Sequence, residues 1–242
     1  MKVVALIASH KRDEILQDSI TCLKPQVDDI VLVGTSDWIK EADTCNIAKR
    51  IAKKNDLIYV DHSNKILGQK WQAALNRARL ENPDAVLICG SDDLIPVGYV
   101  DIFKKDPENI LLAGTNHWFV LNPIKNELIR CYYRTEQRSD PIGAGRIISK
   151  EALGRCDWQI FPREGGIGCD LYSFRMLRMQ ADSWQCFPDI LSVKGRWSML
   201  DSWEQLLNAQ SVDVDFVYRE SAQSYIVNNY PNIDFDKYRK KH

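Results

Sequence analysis

The first half of the chain alternates short apolar runs, rich in β-branched residues, with longer segments in which apolar residues recur every three or four positions. The apolar runs predict buried strands, and the helically spaced segments predict amphipathic helices. The predicted strands cover residues 3–8, 29–34, 57–60 and 85–89, and the predicted helices cover residues 13–23, 44–54 and 67–80. Strands that alternate with helices indicate βαβ units and therefore a mostly parallel central sheet.

The pattern changes after residue 108, where shorter apolar runs are separated by polar turns. Strands are predicted at residues 110–113, 118–121 and 128–133, with a hairpin connection at residues 122–126. Two further helices are predicted at residues 169–179 and 201–210. The predicted fold class is therefore α/β, with a mostly parallel central sheet flanked by helices and a smaller mixed region in the second half.

Composition and charge narrow the class of protein. The chain has 242 residues, of which 45% are hydrophobic and 27% are charged, as in an ordinary soluble globular protein. Its net charge of −1 gives no electrostatic reason to expect a nucleic-acid partner. No stretch reaches the ~20 apolar residues of a membrane span, and the first apolar run is too short for a signal peptide. We therefore expect a soluble chain without a transmembrane segment.

The cysteines bear on the redox compartment. There are seven of them, scattered along the chain and never spaced as a C-x-x-C pair. Zinc sites and disulfide frameworks use closer or more regular spacing. We therefore expect reduced thiols and a cytoplasmic location.

The most specific local feature is Gly90-Ser91-Asp92-Asp93, directly after the fourth predicted strand. In open parallel sheets, ligands bind beyond the carboxyl ends of the strands. Two adjacent carboxylates repel each other there, and a hard divalent ion such as Mg²⁺ or Mn²⁺, completed by a nucleotide diphosphate, relieves that repulsion. An equally supported alternative is that the two aspartates cap a helix that begins near Pro96.

Several segments, taken in order, resemble family-2 glycosyltransferases and related enzymes of the GT-A fold. Residues 4–12, VALIASHKR, are similar to the family's first strand and nucleotide-contacting loop, and residues 30–37 to its second strand, which ends in a base-contacting Asp. Residues 68–78 resemble a helix that approaches the nucleotide, and Ser91-Asp92-Asp93 stands at the place of the D-x-D-type metal motif. Residues 143–153 resemble the segment before an acceptor-side helix. Gly168-Cys169-Asp170-Leu171 resembles the E-D motif that carries the catalytic base.

The resemblance implies an inverting, metal-dependent glycosyltransferase of polysaccharide or glycan biosynthesis. Such an enzyme moves a hexosyl or deoxyhexosyl residue from a nucleotide-diphosphate sugar to a glycan or other hydroxyl acceptor. The implied single GT-A domain has a nucleotide-sugar-binding half, residues 1–108, and an acceptor-binding half with C-terminal helices, residues 109–242. Asp170 is the implied catalytic base, and Asp93 the implied ligand of Mn²⁺ or Mg²⁺. The implied nucleotide-sugar-binding residues are Ser9, His10, Arg12, Asp37, Gln69, Lys70, Ser91 and Asp92.

Two positions depart from the family pattern. Ser91 replaces the first Asp of the metal motif, which leaves Asp93 as the candidate for direct coordination, and Cys169 replaces the Glu before Asp170. Asp170 also stands at the start of a predicted helix, so a capping role is the alternative to catalysis. In that case Glu164, in a segment followed by two glycines, is the reserve base.

Other candidate residues have a second interpretation as well. Asp37 fits a surface turn as well as a contact to the nucleotide base. Lys70 either meets a phosphate or lies on an exposed helix surface, and residues 194–198, KGRWS, fit either a lid over the diphosphate or an exposed loop. Trp71 is predicted to be core because it lies on the helical stripe. Four other aromatic residues suit either core packing or stacking on an acceptor sugar: Trp158, Phe161, Trp184 and Trp203.

Two other functions remain open. A sugar-phosphate nucleotidyltransferase uses a similar sheet, but the glycine-rich loop usual in such enzymes is missing from residues 9–13. A non-catalytic carbohydrate-binding protein would need neither Asp93 nor Asp170. An NAD-dependent dehydrogenase is disfavoured, because no G-x-G-x-x-G follows the first predicted strand.

Overall fold

The structure, a computed structural model, describes residues 1–9, 13–35, 42–122, 127–133, 142–164, 169–179, 185–186, 190–193, 212–217 and 219–235. In chain order, the strands in this part of the chain are β1 (Val3–Ala8), β2 (Asp29–Gly34), β3 (Ile58–Asp61), β4 (Ala85–Gly90), β5 (Asp93–Leu94), β6 (Leu112–Gly114), β7 (His117–Asn122), β8 (Glu127–Tyr133), β9 (Ile147–Ser149), β10 (Gln185–Cys186), β11 (Ile190–Val193) and β12 (Val212–Val217). The helices are α1 (Asp13–Leu23), α2 (Ala42–Lys54), α3 (Leu67–Arg79), α4 (Tyr99–Lys104), α5 (Lys150–Arg155), α6 (Cys169–Arg178) and α7 (Arg219–Asn229).

A seven-stranded central sheet has the order β10-β6-β9-β4-β1-β2-β3. Strands β1 to β4 are parallel, with Ala5 beside Ile30 of β2 and beside Leu87 of β4. Strand β9 runs antiparallel between β4 and β6. The carboxyl ends of β1, β2, β3 and β4 therefore meet at one edge of the sheet.

The alternation of side chains along β1 builds a core on both faces of this sheet. Val3, Ala5 and Ile7 belong to the cluster that includes the apolar side of α1, whereas Val4 and Leu6 pack with the buried stripe of α3. Because every one of these β1 side chains is fully buried, the sheet is covered on both faces, as expected for parallel strands.

A second, five-stranded sheet has the order β12-β8-β7-β11-β5 and is mostly antiparallel. Only its β11 and β7 pair is parallel. Its apolar residues form a cluster with the C-terminal α7, in which Phe119 lies 4.4 Å from Tyr225 between ring centroids. Strand β5 joins this sheet directly after the acidic turn that follows β4, so the two sheets meet at the predicted site.

The predicted fold class is confirmed, and the first seven predicted elements agree with the structure to within two residues. The predicted strands of the second half are also present as β6, β7 and β8. Residues 123–126 of the hairpin connection predicted at residues 122–126 lie outside the described residues, as does the predicted helix at residues 201–210. The sequence interpretation missed β5, β9 to β12, α5 and α7, which are short or depend on distant partners. It included α4 only within an alternative, as a helix that begins near Pro96.

No helix in the described part of the chain combines the length and the apolar character that crossing a membrane requires.

We expect Leu87→Ala to lower the free energy of unfolding by about 2–5 kcal/mol, because it opens a cavity in a well-packed core. Leu87 is fully buried on β4, between β1 and β9. Urea unfolding followed by circular dichroism measures the change. The control is Leu80→Ala, since Leu80 is 76% exposed at the end of α3 and should lose less than about 0.5 kcal/mol. Equal losses in the two variants would show that β4 is not the centre of the core.

Candidate active site

The acidic turn lies at the carboxyl edge of the central sheet, beside the end of β1. Ala8 is paired with Gly90, so Ser9 and Ser91 follow neighbouring parallel strands. Ser91, Asp92 and Asp93 are all at least nine-tenths buried, with exposed fractions of 5%, 6% and 7%. The carboxyl edge of the sheet therefore brings Ser9 and the acidic turn together.

Both carboxylates of the turn approach Gly90. The Gly90 amide donates a hydrogen bond of 2.9 Å to Oδ2 of Asp93. A Cβ atom on Gly90 would lie 2.3 Å from that oxygen and 3.3 Å from Oδ1 of Asp92. Glycine is therefore required at this position, and two buried negative charges converge on one small space.

The backbone of the turn is held from two other elements. The Ser19 hydroxyl of α1 donates a hydrogen bond of 2.8 Å to the carbonyl oxygen of Asp93. Asp93 is also paired with Ser192 of β11. The helix-cap alternative for the two aspartates is wrong, because Asp93 begins a strand and α4 begins later, at Tyr99, after Gly98 in a left-handed conformation with φ of 79°.

Lys70 supplies a buried positive charge at the same edge. Its side chain is 1% exposed, and its ammonium group donates hydrogen bonds to the Ser9 carbonyl oxygen at 2.5 Å and to Oδ1 of Asn64 at 2.8 Å. The alternative of an exposed position on the helix surface is therefore wrong. The ammonium group lies beyond the end of β1, where it favours a negatively charged ligand.

Gln69 points away from Lys70, although both were predicted to bind the same ligand. Its amide nitrogen donates a hydrogen bond of 2.7 Å to the carbonyl oxygen of Arg163. It lines a cavity of about 300 Å³ between the outer side of α3 and the segment after α5, together with His62, Gln72, Ala73, Asn76, Gln159, Phe161, Pro162 and Arg163. In the structure Gln69 therefore contacts a different segment from Lys70.

Asp170 reaches this edge of the sheet through a turn at residues 142–146. The turn continues the pairing of β9 with β4: the Gly145 amide donates to the Ile88 carbonyl, and the Ile88 amide donates to the Arg146 carbonyl, both at 2.8 Å. The Asp170 carboxylate lies against Gly143 of this turn, since a Cβ on Gly143 would be 2.1 Å from its Oδ1. Asp170 therefore lies beyond the carboxyl end of β4, as the acidic turn does. It is the second residue of α6, where its charge also suits the helix dipole.

Several predicted residues are not assembled by the described structure. His10, Arg12 and Asp37 lie outside the described residues, as do residues 194–198 and the aromatic residues Trp184 and Trp203. The reserve base Glu164 is exposed, one residue beyond the cavity. Trp71 is buried, as predicted. Trp158 and Phe161 are buried too, so core packing is the correct one of their two interpretations.

Three residues around the site were missed as contributors. Ser19 is a polar residue on the apolar side of α1, and Arg146 directly precedes the apolar Ile147 of β9, so each interrupts a buried pattern. Gly143 was noted only as part of a resembling segment. A polar or charged residue inside an apolar pattern is a signal that could have found the first two.

The carboxylates of the acidic turn suit a metal ion only when the phosphates of a bound ligand complete its coordination. In the described part of the chain, no group of three or more His, Cys, Asp or Glu side chains converges as a protein-only metal centre. Mg²⁺ is commonly bound by one or two carboxylates together with substrate phosphates. The paired carboxylates of Asp92 and Asp93 fit that second type of site.

Cys89 lies behind the acidic turn and is a thiol. Burial, and after it the negative charge of Asp93, raises the pKa of Cys89 well above its usual range. The thiol donates weak hydrogen bonds of 3.4 Å to the carbonyl oxygens of Gly90 and Asp93. Cys89 therefore supports the backbone of the turn and does not add a third negative charge to it.

Comparison with solved structures identifies the fold. S. aureus TarS 1–349 in complex with UDP has a TM-score of 0.57 and 15% identity, over 94% of this chain and 70% of that one. The mannosyltransferase PcManGT from Pyrobaculum calidifontis, in complex with GDP-Man and Mn²⁺, has a TM-score of 0.54 and 14% identity, over 87% of this chain and 61% of that one. These neighbours are GT-A glycosyltransferases, and the chain has the GT-A fold.

The inositol-1-phosphate CTP transferase from T. maritima is also similar, with a TM-score of 0.49 and 13% identity, over 86% of this chain and 94% of that one. No protein-family model matches the chain, and no curated protein matches its sequence.

We expect Cys89→Ala to flatten the decline of stability at alkaline pH. The unfolded chain ionises this thiol near pH 8.5, while the folded chain, with its raised pKa, keeps the proton. The contribution of Cys89 to stability is therefore complete below about pH 8.5 and falls above it by about 1.4 kcal/mol per pH unit. Urea unfolding between pH 7 and pH 10 measures the slope. The comparison is Cys156→Ala: Cys156 is half-buried, and burial raises its pKa less than that of Cys89, so this variant should flatten the decline less. Parallel slopes in wild type and Cys89→Ala would contradict the assignment.

Proposed function

We propose that this chain is an inverting, metal-dependent glycosyltransferase. It transfers a hexosyl or deoxyhexosyl residue from a nucleoside diphosphate sugar to a hydroxyl group of a glycan or another acceptor. The observation that carries the proposal is the burial of the Asp92 and Asp93 carboxylates together beside Gly90, at the ligand-binding edge of a GT-A fold. A helix cap, which was the competing interpretation of this motif, does not account for them.

On the donor side, Asp93 would hold Mn²⁺ or Mg²⁺, and Asp92 and Ser91 would contact the ribose or the sugar. The bound ion supplies positive charge beside the leaving diphosphate. Lys70 adds its own positive charge at the end of β1, where Ser9 would contact the nucleotide. His10, Arg12, Asp37 and Gln69 remain predicted donor contacts.

On the acceptor side, Asp170 is the proposed general base. It accepts the proton of the acceptor hydroxyl while that oxygen forms a bond to the anomeric carbon. The bond from the anomeric carbon to the diphosphate oxygen breaks, and its electron pair leaves with the nucleoside diphosphate. Attack opposite the leaving group inverts the anomeric configuration. Residues 109–242 are the proposed acceptor half, residues 1–108 are the proposed donor half, and a cytoplasmic location is part of the same proposal.

We expect one nucleoside diphosphate to stabilise the protein in a Mn²⁺-dependent manner. A thermal-shift screen of the diphosphates UDP, GDP and dTDP, and of the monophosphate CMP, each with and without Mn²⁺, measures this. A ligand at about a hundred times its dissociation constant adds ~2.7 kcal/mol to the free energy of unfolding, which raises the melting temperature by about 5–10 °C. Asp93→Asn keeps the size of the side chain but removes the charge, and it should abolish the Mn²⁺-dependent part.

The matched control for this screen is Asp101→Asn, an exposed aspartate on α4. It should keep the full shift. Absence of a shift with every nucleotide in the wild-type protein would contradict the proposal. Release of pyrophosphate from a nucleoside triphosphate and a sugar phosphate would instead identify a nucleotidyltransferase.

We expect Asp170→Asn to reduce turnover by about 10²–10⁴-fold and to leave donor binding intact, because it removes the general base and not a donor contact. Release of nucleoside diphosphate from UDP-glucose, UDP-N-acetylglucosamine or GDP-mannose measures turnover, and the thermal shift measures binding. The comparison is Glu164→Gln, which should stay within about twofold of wild type. The reverse result, a loss in Glu164→Gln alone, would move the base to the reserve residue.

A further inference from the structure

The Asp170 carboxylate rests directly on the backbone of Gly143. A Cβ built on Gly143 would lie 2.1 Å from Oδ1, 2.2 Å from Cγ and 2.6 Å from Oδ2 of Asp170. Carbon and oxygen atoms that are not bonded do not approach so closely, so any side chain at residue 143 displaces the carboxylate. Gly143 does not have a positive φ, so the requirement for glycine here arises from the contact with Asp170 and not from the backbone conformation.

The backbone of Asp170 is held from the same turn by Arg146. Arg146 is 1% exposed, and both of its terminal nitrogens donate to the Asp170 carbonyl oxygen at 3.3 Å. Its Nη1 also donates to the Ser173 hydroxyl at 2.6 Å, and that hydroxyl donates to the same Asp170 carbonyl at 3.0 Å. The guanidinium group lies over the Phe174 ring, 5.5 Å from its centroid. A planar guanidinium can make all of these contacts at once, and an ammonium group cannot.

The turn that carries Gly143 and Arg146 is fixed to the strand that leads into the acidic turn. Its hydrogen bonds to Ile88 were described above, and the Tyr99 hydroxyl of α4 donates a further bond of 2.8 Å to the Gly145 carbonyl. Gly145 has a φ of 76°, a left-handed conformation that glycine adopts without strain. One short segment thus connects the end of β4 with the first turn of α6.

We propose that Gly143 and Arg146 are positioning residues that hold Asp170 in its catalytic place relative to the acidic turn. The inference rests on the proposed function, in which Asp170 is the base. Gly143 sets where the carboxylate lies, and Arg146 sets where the first turn of α6 begins. Because a shift of about 1 Å in a catalytic group can cost about 100-fold in rate, both residues contribute to turnover without touching a substrate.

The first test replaces Gly143 with alanine and uses Gly154→Ala as the matched control, since a Cβ on Gly154 meets nothing within 4 Å. Turnover is the release of nucleoside diphosphate from UDP-glucose, UDP-N-acetylglucosamine or GDP-mannose. We expect kcat of Gly143→Ala to fall by about 100-fold, while the KM for the donor stays within about twofold of wild type. A kcat within about threefold of the control would overturn the role of Gly143.

The second test compares Arg146→Lys with Arg146→Met. Lysine keeps the charge and one donor to the Asp170 carbonyl, whereas methionine keeps neither. We therefore expect kcat of Arg146→Lys to be at least about tenfold higher than kcat of Arg146→Met. The control is Ser149→Ala, which removes the N-cap bond of Ser149 to the Ala152 amide and has no contact with Asp170. It should lower the melting temperature by about 2–4 °C and leave kcat unchanged. A loss of kcat in Ser149→Ala equal to that in Arg146→Met would overturn the positioning role, because general loosening would then explain it.

Amide hydrogen exchange separates failure of the inference from failure of the proposed function. Exchange in the peptide covering α6 should be at least about threefold faster in Arg146→Met than in Ser149→Ala, whatever reaction the protein catalyses. Equal exchange would overturn the anchoring of α6 by Arg146. Absence of turnover in the wild-type protein would contradict the proposed function, and the exchange result would still decide the structural role. If Arg146→Met does not melt cooperatively, the exchange comparison is made with Arg146→Lys.

Discussion

The carboxylates of Asp92 and Asp93 share one small space beside Gly90, and this electrostatic constraint governs the candidate site. Burial disfavours a charged carboxylate, and a second negative charge nearby disfavours it further. The Gly90 amide points the positive end of its dipole at the Asp93 carboxylate. The buried ammonium group of Lys70 adds a positive charge at the same edge of the sheet. These groups offset part of the cost of burying two carboxylates, and a divalent ion with its diphosphate would offset more of it.

The supports of the acidic turn come from distant parts of the chain. Ser19 belongs to α1, and Ser192 belongs to β11, yet both bind the backbone at Asp93. Cys89 adds weak donors from beneath, and its raised pKa keeps a third negative charge out of the turn. A backbone that is fixed from several elements holds its side chains in one geometry, which is the condition for electrostatic stabilisation without reorganisation.

The parallel core could be predicted from the sequence alone. Its strands β1 and β4 are continuous apolar runs that alternate with helical patterns, and both signals are local in the sequence. The sequence was not sufficient for the two aspartates, since a strand at Asp93 depends on pairing with β11 about a hundred residues later. The same holds for Arg146, whose partners are on α6. Lys70 and Gln69 are neighbours in sequence and were predicted to act together, but on α3 their side chains point about 100° apart and contact different segments. The side of a helix can be predicted from its period, whereas the partner on that side cannot.

The acidic turn and Asp170 are held by the same strand, β4. Both are attached to β4, one directly after Gly90 and the other through the turn that contains Gly143 and Arg146. Their separation is therefore set by hydrogen bonds within the fold and does not depend on a ligand to bring them together. If Asp170 is the base, as proposed, a donor held by the acidic turn would meet it already in position, and the entropic cost of aligning the two would be met during folding. Under the proposed function, donor binding and proton transfer would depend on different residues that one set of backbone hydrogen bonds holds together, so that a substitution could alter one and leave the other intact.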